Sequence, residues 1–589
     1  MKSPRFIGPA LLVLIAALVL PNAAQATSAT WNGTTNALWS TTGNWSTSPV
    51  PGVGDTATFN NAGNGNTTLT VGTISLNQVL FNTSSAAAYT LGSGTITFAD
   101  GTTTAVLMNS TVTANETISA NLTLGTAVVS NSTIQNDSTT GLITVSGNIA
   151  GGTGGTAAAK TVTVTGSGNT TIGGVISNGG ATTVGIAKTG SGTLFLTNTA
   201  NTFTGIMTIS GGTVRASDST IYGAGDQSIT TTVLGQAASN GISFAANATV
   251  KALDLRYNGQ NDSTAQKLQL LNSKGGNLLV NASSTNTTIN VDRESGTGTN
   301  KTISFFNAAI ANGAVLAVTG GNGYSLGLGT LAAGTGGGAG NLTIAPTTAN
   351  VTVGNVNNAG ATGFAHTLIL DGTSSGNTIT GIIANSATGG GVLSLTKQNS
   401  STWTLSGVNT YTGATSINVG TLALSGSGAI NANSAITVAA GATFDTSAQA
   451  AYTFSTATTT TIGVNATTAG QIKAAAVTFS SAALAFDFGA TTTLLASYNA
   501  LVISGLETGH FTGGVTATGS SISGTFLNGG SGNWTLTSGG YNLSFSESLG
   551  TLTAAAIPEP STWALLVGTT ALVGTLLVRR SRRSIRPAL

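Results

Sequence analysis

The residues able to do chemistry in this chain are few. Asp254 and Arg256 alternate within "KALDLRYNG" and share one face of a strand; Asp292, Arg293 and Glu294 form the densest charged cluster. Two carboxylates of this kind could serve as acid and base at a glycosidic bond. A salt link on the outside of the fold needs the same residues and is the reading preferred here. His366 and His510 stand apart in sequence from acidic or cysteine residues at metal-ligating spacing, so each is expected at a surface or in a turn, with no metal site. Glycine runs at 151–155 and 335–341 lack the Gly-Lys-Ser/Thr of a phosphate loop. No catalytic residue, metal or cofactor is expected. Trp31, Trp39 and Trp45, half of the six tryptophans, fall within fifteen residues. They could offer a sugar-stacking platform, but a hydrophobic cap over the end of a stacked fold needs such residues too and is preferred.

The elements that must carry these residues follow from composition. Of 589 residues only 6% are charged, 82 are glycine, 9 are proline and none is cysteine. An ordinary domain carries about 25% charge. Val, Ile, Leu and Ala stand singly among Thr, Ser and Asn, a strand pattern, and no sustained helical period occurs between residues 30 and 555. The formal charge of +2 hides an acidic body. Seven of the eighteen basic residues lie in the two terminal segments, and with Glu559 set aside the remainder is about −4. A nucleic-acid partner is therefore not expected.

Two stretches, residues 168–216 and 376–424, repeat each other. Lys188 matches Lys397, Leu194 and Leu196 match Trp403 and Leu405, and Asn201-Thr-Phe-Thr-Gly205 matches Asn409-Thr-Tyr-Thr-Gly413 at an offset of 208 or 209. Such order over almost fifty residues marks internal duplication. Strand, tight Gly or Asn corner, strand, repeated, predicts coils stacked about 4.8 Å apart around one continuous core. The expected fold is all-β, an elongated right-handed parallel β-helix over 63–553 behind a tryptophan-rich cap at 27–62. Phe203 and Tyr411 are expected to pack corners. The repeats resemble the passenger-associated β-strand repeat of bacterial autotransporters, carried by Lys188-Thr-Gly-Ser-Gly-Thr-Leu194 and Ser406-Gly-Val-Asn-Thr-Tyr-Thr-Gly413. An autotransporter ends in a membrane β-barrel, whereas this chain ends in a single apolar segment, so self-transport is not expected.

Both termini read as addresses. Lys2 and Arg5, an apolar run from Ile7 to Leu20, and Ala24-Gln25-Ala26 make a secretory signal over 1–26, with cleavage by signal peptidase expected after Ala26. At the other end, residues 557–586 hold Pro558-Glu559-Pro560, an uncharged span at 563–578, and arginines within 579–586. As a helix, sixteen residues extend about 24 Å, against roughly 30 Å of hydrocarbon. Trp563 suits the interface, Leu565, Leu566, Leu572, Leu576 and Leu577 supply the apolar anchor, and Arg579, Arg580, Arg582 and Arg583 favour the cytoplasmic side. A single transmembrane helix is expected here. The segment closely resembles the PEP-CTERM sorting domain, with Pro558 to Leu565 falling on its motif. That resemblance implies recognition of Pro558, Glu559 and Pro560 by an exosortase-type membrane protease, in Gram-negative bacteria that make exopolysaccharide. Taken together, the sequence predicts an exported, surface-directed, non-catalytic structural or adhesive protein of the envelope or exopolysaccharide matrix. The alternatives are a lyase or glycosidase on the same scaffold, or a carbohydrate-binding module using the tryptophans.

Overall fold

The computed structural model describes residues 28–98, 104–125, 131–152, 159–237, 241–247, 249–271, 276–360, 363–479, 481–558 and 560–582. The expected signal segment, with Ala24 and Ala26, lies outside the described residues, as do Glu559 and Arg583. The body is a parallel β-solenoid. Two 22-stranded sheets hold most of its strands, and nearly every pairing in them is parallel. Each coil turns through three short sides, as in Ile143–Val145, Ile149–Gly151 and Ala159–Thr165. Adjoining sides merge where a strand bends through a corner: Lys301–Ala311 pairs with Gln266–Leu270 by one half and Asn277–Val280 by the other.

Alternation of apolar and hydroxyl residues decides which way each strand faces. Thr402–Leu405 buries Trp403 and Leu405 and leaves Thr402 and Thr404 half-buried on the outside. Equivalent inward positions then stack into ladders along the axis. One runs Leu91, Ile118, Val145, Ile172, Leu196, Ala216, Leu255 and Val291, every member buried. A one-residue slip would turn this row outward, so the core fixes register. Seventeen successive pairings connect the strands of this wall, from Thr68–Leu76 to Val515–Gly519. At about 4.8 Å per coil the stack is roughly 80 Å long.

The duplicated stretches do not occupy equivalent walls. Thr183–Lys188 of the first copy shares a wall with Met207–Ile209. Its counterpart Leu393–Lys397 stands, through Thr415–Ile417 and His366–Leu370, in the wall that holds Thr193–Leu196. Following the first wall from Ile186 takes seven pairings to reach Ile383, and Leu393–Lys397 lies one side further on. The repeat therefore encodes a side and its corner rather than a fixed wall. The same local alternation and corner chemistry serve on both of the walls it occupies.

Both ends of the stack are closed. At the start, Ala29–Thr30 and Thr56–Phe59 already pair in parallel, so the cap is itself the first coil. The expected solenoid over 63–553 runs on in parallel only to Val515–Gly519 and is closed by a five-stranded antiparallel sheet formed by Ser497–Asn499, Leu527–Asn528, Asn533–Ser538, Tyr541–Ser546 and Thr551–Ala556. Hairpins there turn the chain back across the last coil and bury Trp534, Phe545 and Leu552 against it. A closed end of this kind leaves fewer unpaired strand groups to template aggregation.

Helix α1, Pro560–Arg582, follows the closing sheet. Proline at a first helical position costs nothing, because its missing N–H has no partner in the first turn. Leu572, Leu576 and Leu577 are each more than half exposed. Among the described residues no helix is long and apolar enough to cross a membrane. The expected span at 563–578 is only partly covered by that statement, since the side chains of 561–567, with Trp563, Leu565 and Leu566, lie outside those described.

Candidate functional site

The residues that the two repeats share are corner residues, and they do the same work in both copies. Asn201 is buried; its Oδ1 accepts from Ile176 N at 2.8 Å, and its Nδ2 donates to Val233 O at 3.0 Å and Asn198 O at 3.1 Å. Asn409 repeats this: Oδ1 accepts from Ile383 N at 2.9 Å, and Nδ2 donates to Ala429 O at 2.8 Å and Gly407 O at 3.1 Å. Each asparagine thus stitches its own coil to the coils on either side, where the backbone turns too sharply to pair with itself. Asn178 and Asn385 form a second matched stitch, accepting from Val184 N and Leu393 N, both at 2.9 Å, and donating to Thr204 Oγ1 and Thr412 Oγ1. Phe203 and Tyr411 are fully buried beneath the corner, and the Tyr411 hydroxyl pairs with Thr415 Oγ1 at 2.7 Å.

The matched lysines are buried, which their charge concealed in the sequence. Lys397 Nζ donates to the carbonyls of Gln398, Asn399 and Val419 at 2.6, 2.7 and 3.1 Å. Lys188 Nζ donates to Gly190 O and Gly211 O. Each ammonium thereby satisfies carbonyls of two neighbouring coils that turn inward at one corner. Space for it comes from Gly212 and Gly420, at φ +64° and +74°, where a Cβ would sit 2.7 and 2.8 Å from the respective Nζ. Lys251 fills another corner, donating to Asn247 O, Asn247 Oδ1 and Thr249 O. Burial pushes Lys188 and Lys397 down to about 8; for Lys397 the nearby Asp371 opposes that shift. Lys397→Met keeps the stem but orphans three carbonyls, and is expected to destabilise by about 1–3 kcal/mol. Denaturant unfolding of the two chains at pH 7 checks this. The unfolded lysine holds its proton to higher pH than the folded one, so wild-type stability rises between about pH 8 and 10.5, and the deficit of the variant grows across that window.

The charged cluster is a ladder on the outside of one wall. Pairing sets Arg215 beside Asp254 and Asp254 beside Asn290, with Arg256 beside Asp292. Asp254 accepts from Arg215 Nε at 2.7 Å, Arg256 Nε at 2.8 Å and Asn290 Nδ2 at 2.8 Å. Asp292 accepts from Arg256 Nη1 at 3.0 Å and Asn322 Nδ2 at 2.7 Å. The two carboxylates share one arginine between them and each is held by several donors. The fold thus brings Asp254 and Asp292 together on one wall, with Arg256 between them.

One of the two histidines departs from expectation. His366 is buried, not at a surface or turn: it opens the strand His366–Leu370 facing inward, with Nδ1 3.0 Å from Asn358 Oδ1 and Nε2 3.0 Å from Gly338 O. Gly334 and Gly360 make the room, which no sequence spacing announces. His510 is exposed, as expected, and finds an acidic neighbour 37 residues away in sequence: its Nδ1 lies 2.7 Å from Glu547 Oε2. Buried Glu547 also accepts from Trp534 Nε1 and Phe511 N, tying the last coil to the closing sheet. No group of three metal-ligating side chains occurs among the described residues.

The tryptophans are buried too. Trp31 and Trp39 each pack edge-on against Trp45, at 5.1 and 4.6 Å between ring centres, over Phe59, and all three indole N–H groups donate to backbone carbonyls. Rings packed this way close the first coil and leave no face for a sugar. Pro558, by contrast, is exposed in the short link between Ala556 and helix α1.

The fold and its corners define a class, the parallel β-solenoid bearing passenger-type repeats. Residues 186–216 and 395–424 match the family model of the passenger-associated-transport-repeat. Both stretches include the lysine, the Asn-Thr-aromatic-Thr-Gly corner and the glycine described above. No curated relative matches the chain. Among solved structures it is similar to the autotransporter UpaB from E. coli strain CFT073, at 14% identity and a TM-score of 0.19, over 83% of this chain and 99% of that one.

Proposed function

We propose that this is an exported, surface-directed, non-catalytic solenoid that serves as a structural or adhesive component of the cell envelope or exopolysaccharide matrix. The observation that carries the reading is the pair of passenger-type repeats whose shared residues stitch a sparsely charged parallel stack. With no cysteine in the chain such a stack stands without disulfides, held by packing and hydrogen bonding, which suits a passive extracellular rod. Saturation of Asp254 and Asp292 by arginine and asparagine supports a structural role for the only dense charged cluster among the described residues.

Routing depends on the two ends. Signal peptidase cuts after Ala26, and the segment from Trp563 to Val578 lodges in the inner membrane with Arg579, Arg580, Arg582 and Arg583 on the cytoplasmic side. An exosortase-type protease then reads Pro558-Glu559-Pro560, for which the exposed link between closing sheet and helix leaves room. Exopolysaccharide is the proposed partner once the protein is released. Mass spectrometry of both ends of surface material tests this route: the mature chain is expected to begin at Thr27 and to stop near Pro558. Surface material that still reaches Leu589 would contradict the sorting step.

A further inference from the structure

One side of the solenoid opens where its backbone ladder is interrupted. Val408 and Ala429 still pair, and Tyr452–Thr453 pairs onward with Val477–Thr478. Between the coil of Ala429–Asn431 and that of Tyr452–Phe454, side chains bridge instead. Gln449 Nε2 donates to Gly428 O at one end of the gap, and Ser455 Oγ donates to Ala432 O at 2.6 Å at the other. What remains between them is a trough of about 470 Å³. Its lips are about three residues long, roughly 10 Å of strand.

The lining has a definite chemistry. None of its residues carries a charge; half-buried Ile430 and the exposed edge of Tyr452 supply apolar surface, with Phe454 fully buried beneath them, and Ser427, Asn431 and Thr456 bring hydroxyl and amide groups to the rim. Tyr452 is nine-tenths buried, packs edge-on between Phe444 and Phe454, and its hydroxyl makes no hydrogen bond among the described residues. An uncharged cleft with a small apolar floor of Ile430 and the Tyr452 edge under a hydroxyl-amide rim suits a neutral ligand rich in hydroxyls. An inserted peptide strand would have to run past both ends of the gap, and the two side-chain bridges close those ends.

We propose that this trough is a binding site for a neutral saccharide of about two rings, the contact by which the solenoid holds a polysaccharide chain end or branch. The proposal rests on the matrix reading above and names its point of contact. Purified full-length protein titrated with cellobiose, maltose and chitobiose, followed by saturation-transfer NMR, is the test. At least one disaccharide is expected to bind. Thr453→Arg and Thr456→Arg, both at exposed positions of the lip, are expected to weaken that binding by roughly tenfold or more, equivalent to about 1.4 kcal/mol, with unchanged melting. Failure of all three sugars to bind, or binding undiminished in both variants, overturns the site. Either result can be told from failure of the matrix reading, which is judged by where the protein resides: matrix-resident protein that binds none of the sugars sinks the trough alone, whereas sugar-binding protein that never leaves the cell sinks the matrix reading alone.

Discussion

Replacing Trp31 by alanine is expected to destabilise the N-terminal end of the rod by about 3–5 kcal/mol, the usual cost of emptying a large buried aromatic site. Trp31 is fully buried, packs on Trp45 and Phe59, and donates its indole N–H to Asn66 O at 3.0 Å. The variant leaves a void and an unpaired carbonyl in the coil that shields all later ones from solvent. Because each coil contacts only its neighbours, the loss stays local and propagates from the end inward. Hydrogen exchange is the check. Amides of strands between Ala29 and Leu124 are expected to lose protection, while those between Asn377 and Ala556 keep it. A uniform loss along the chain would show that the coils unfold as one unit.

The second large effect concerns pH. Glu116 is buried on the inner side of the strand Glu116–Ile118; Oε2 accepts from Tyr89 N at 2.9 Å and Oε1 has no partner among the described residues. Burial raises its pKa to about 7, partly opposed by the Tyr89 hydrogen bond. A carboxyl whose proton is held more tightly in the folded chain contributes stability that is complete below the unfolded value of 4.5 and is lost as pH rises through 7. The difference corresponds to about 3 kcal/mol. Wild-type protein is therefore expected to lose stability between pH 5 and 8, and Glu116→Gln to remove that slope. Denaturant midpoints at pH 5 and 8 decide it: equal slopes in the two proteins would place the titration elsewhere.

Much of the architecture was legible because solenoid strands declare themselves locally. The alternation in Thr402–Leu405 and the recurrence of Asn-Thr-aromatic-Thr-Gly gave strand, corner and burial from a few residues each. Phe203 and Tyr411 sit where their equivalence implied. What stayed hidden depends on three-dimensional proximity. Lysine normally stays at a surface unless paired, so nothing in the alignment of Lys188 with Lys397 announced that both turn inward to hold carbonyls of adjacent coils. Glu547 lies 37 residues from His510, and only the closing hairpins join them. In sequence that closing sheet is indistinguishable from further solenoid, since Thr-Ser alternation looks alike in parallel and antiparallel strands. The rotation of one repeat copy by a side is likewise invisible in an offset of 208, because the coils between the copies differ in length.

Everything proposed rests on the chain being a one-dimensional pile of coils rather than a rounded body. X-ray scattering from the protein without its two terminal segments measures this directly. The account predicts a skewed distance distribution with a long tail beyond roughly 80 Å, set by seventeen steps of about 4.8 Å. A symmetric distribution ending near 65 Å, about the span of a compact sphere of this chain length, would contradict it.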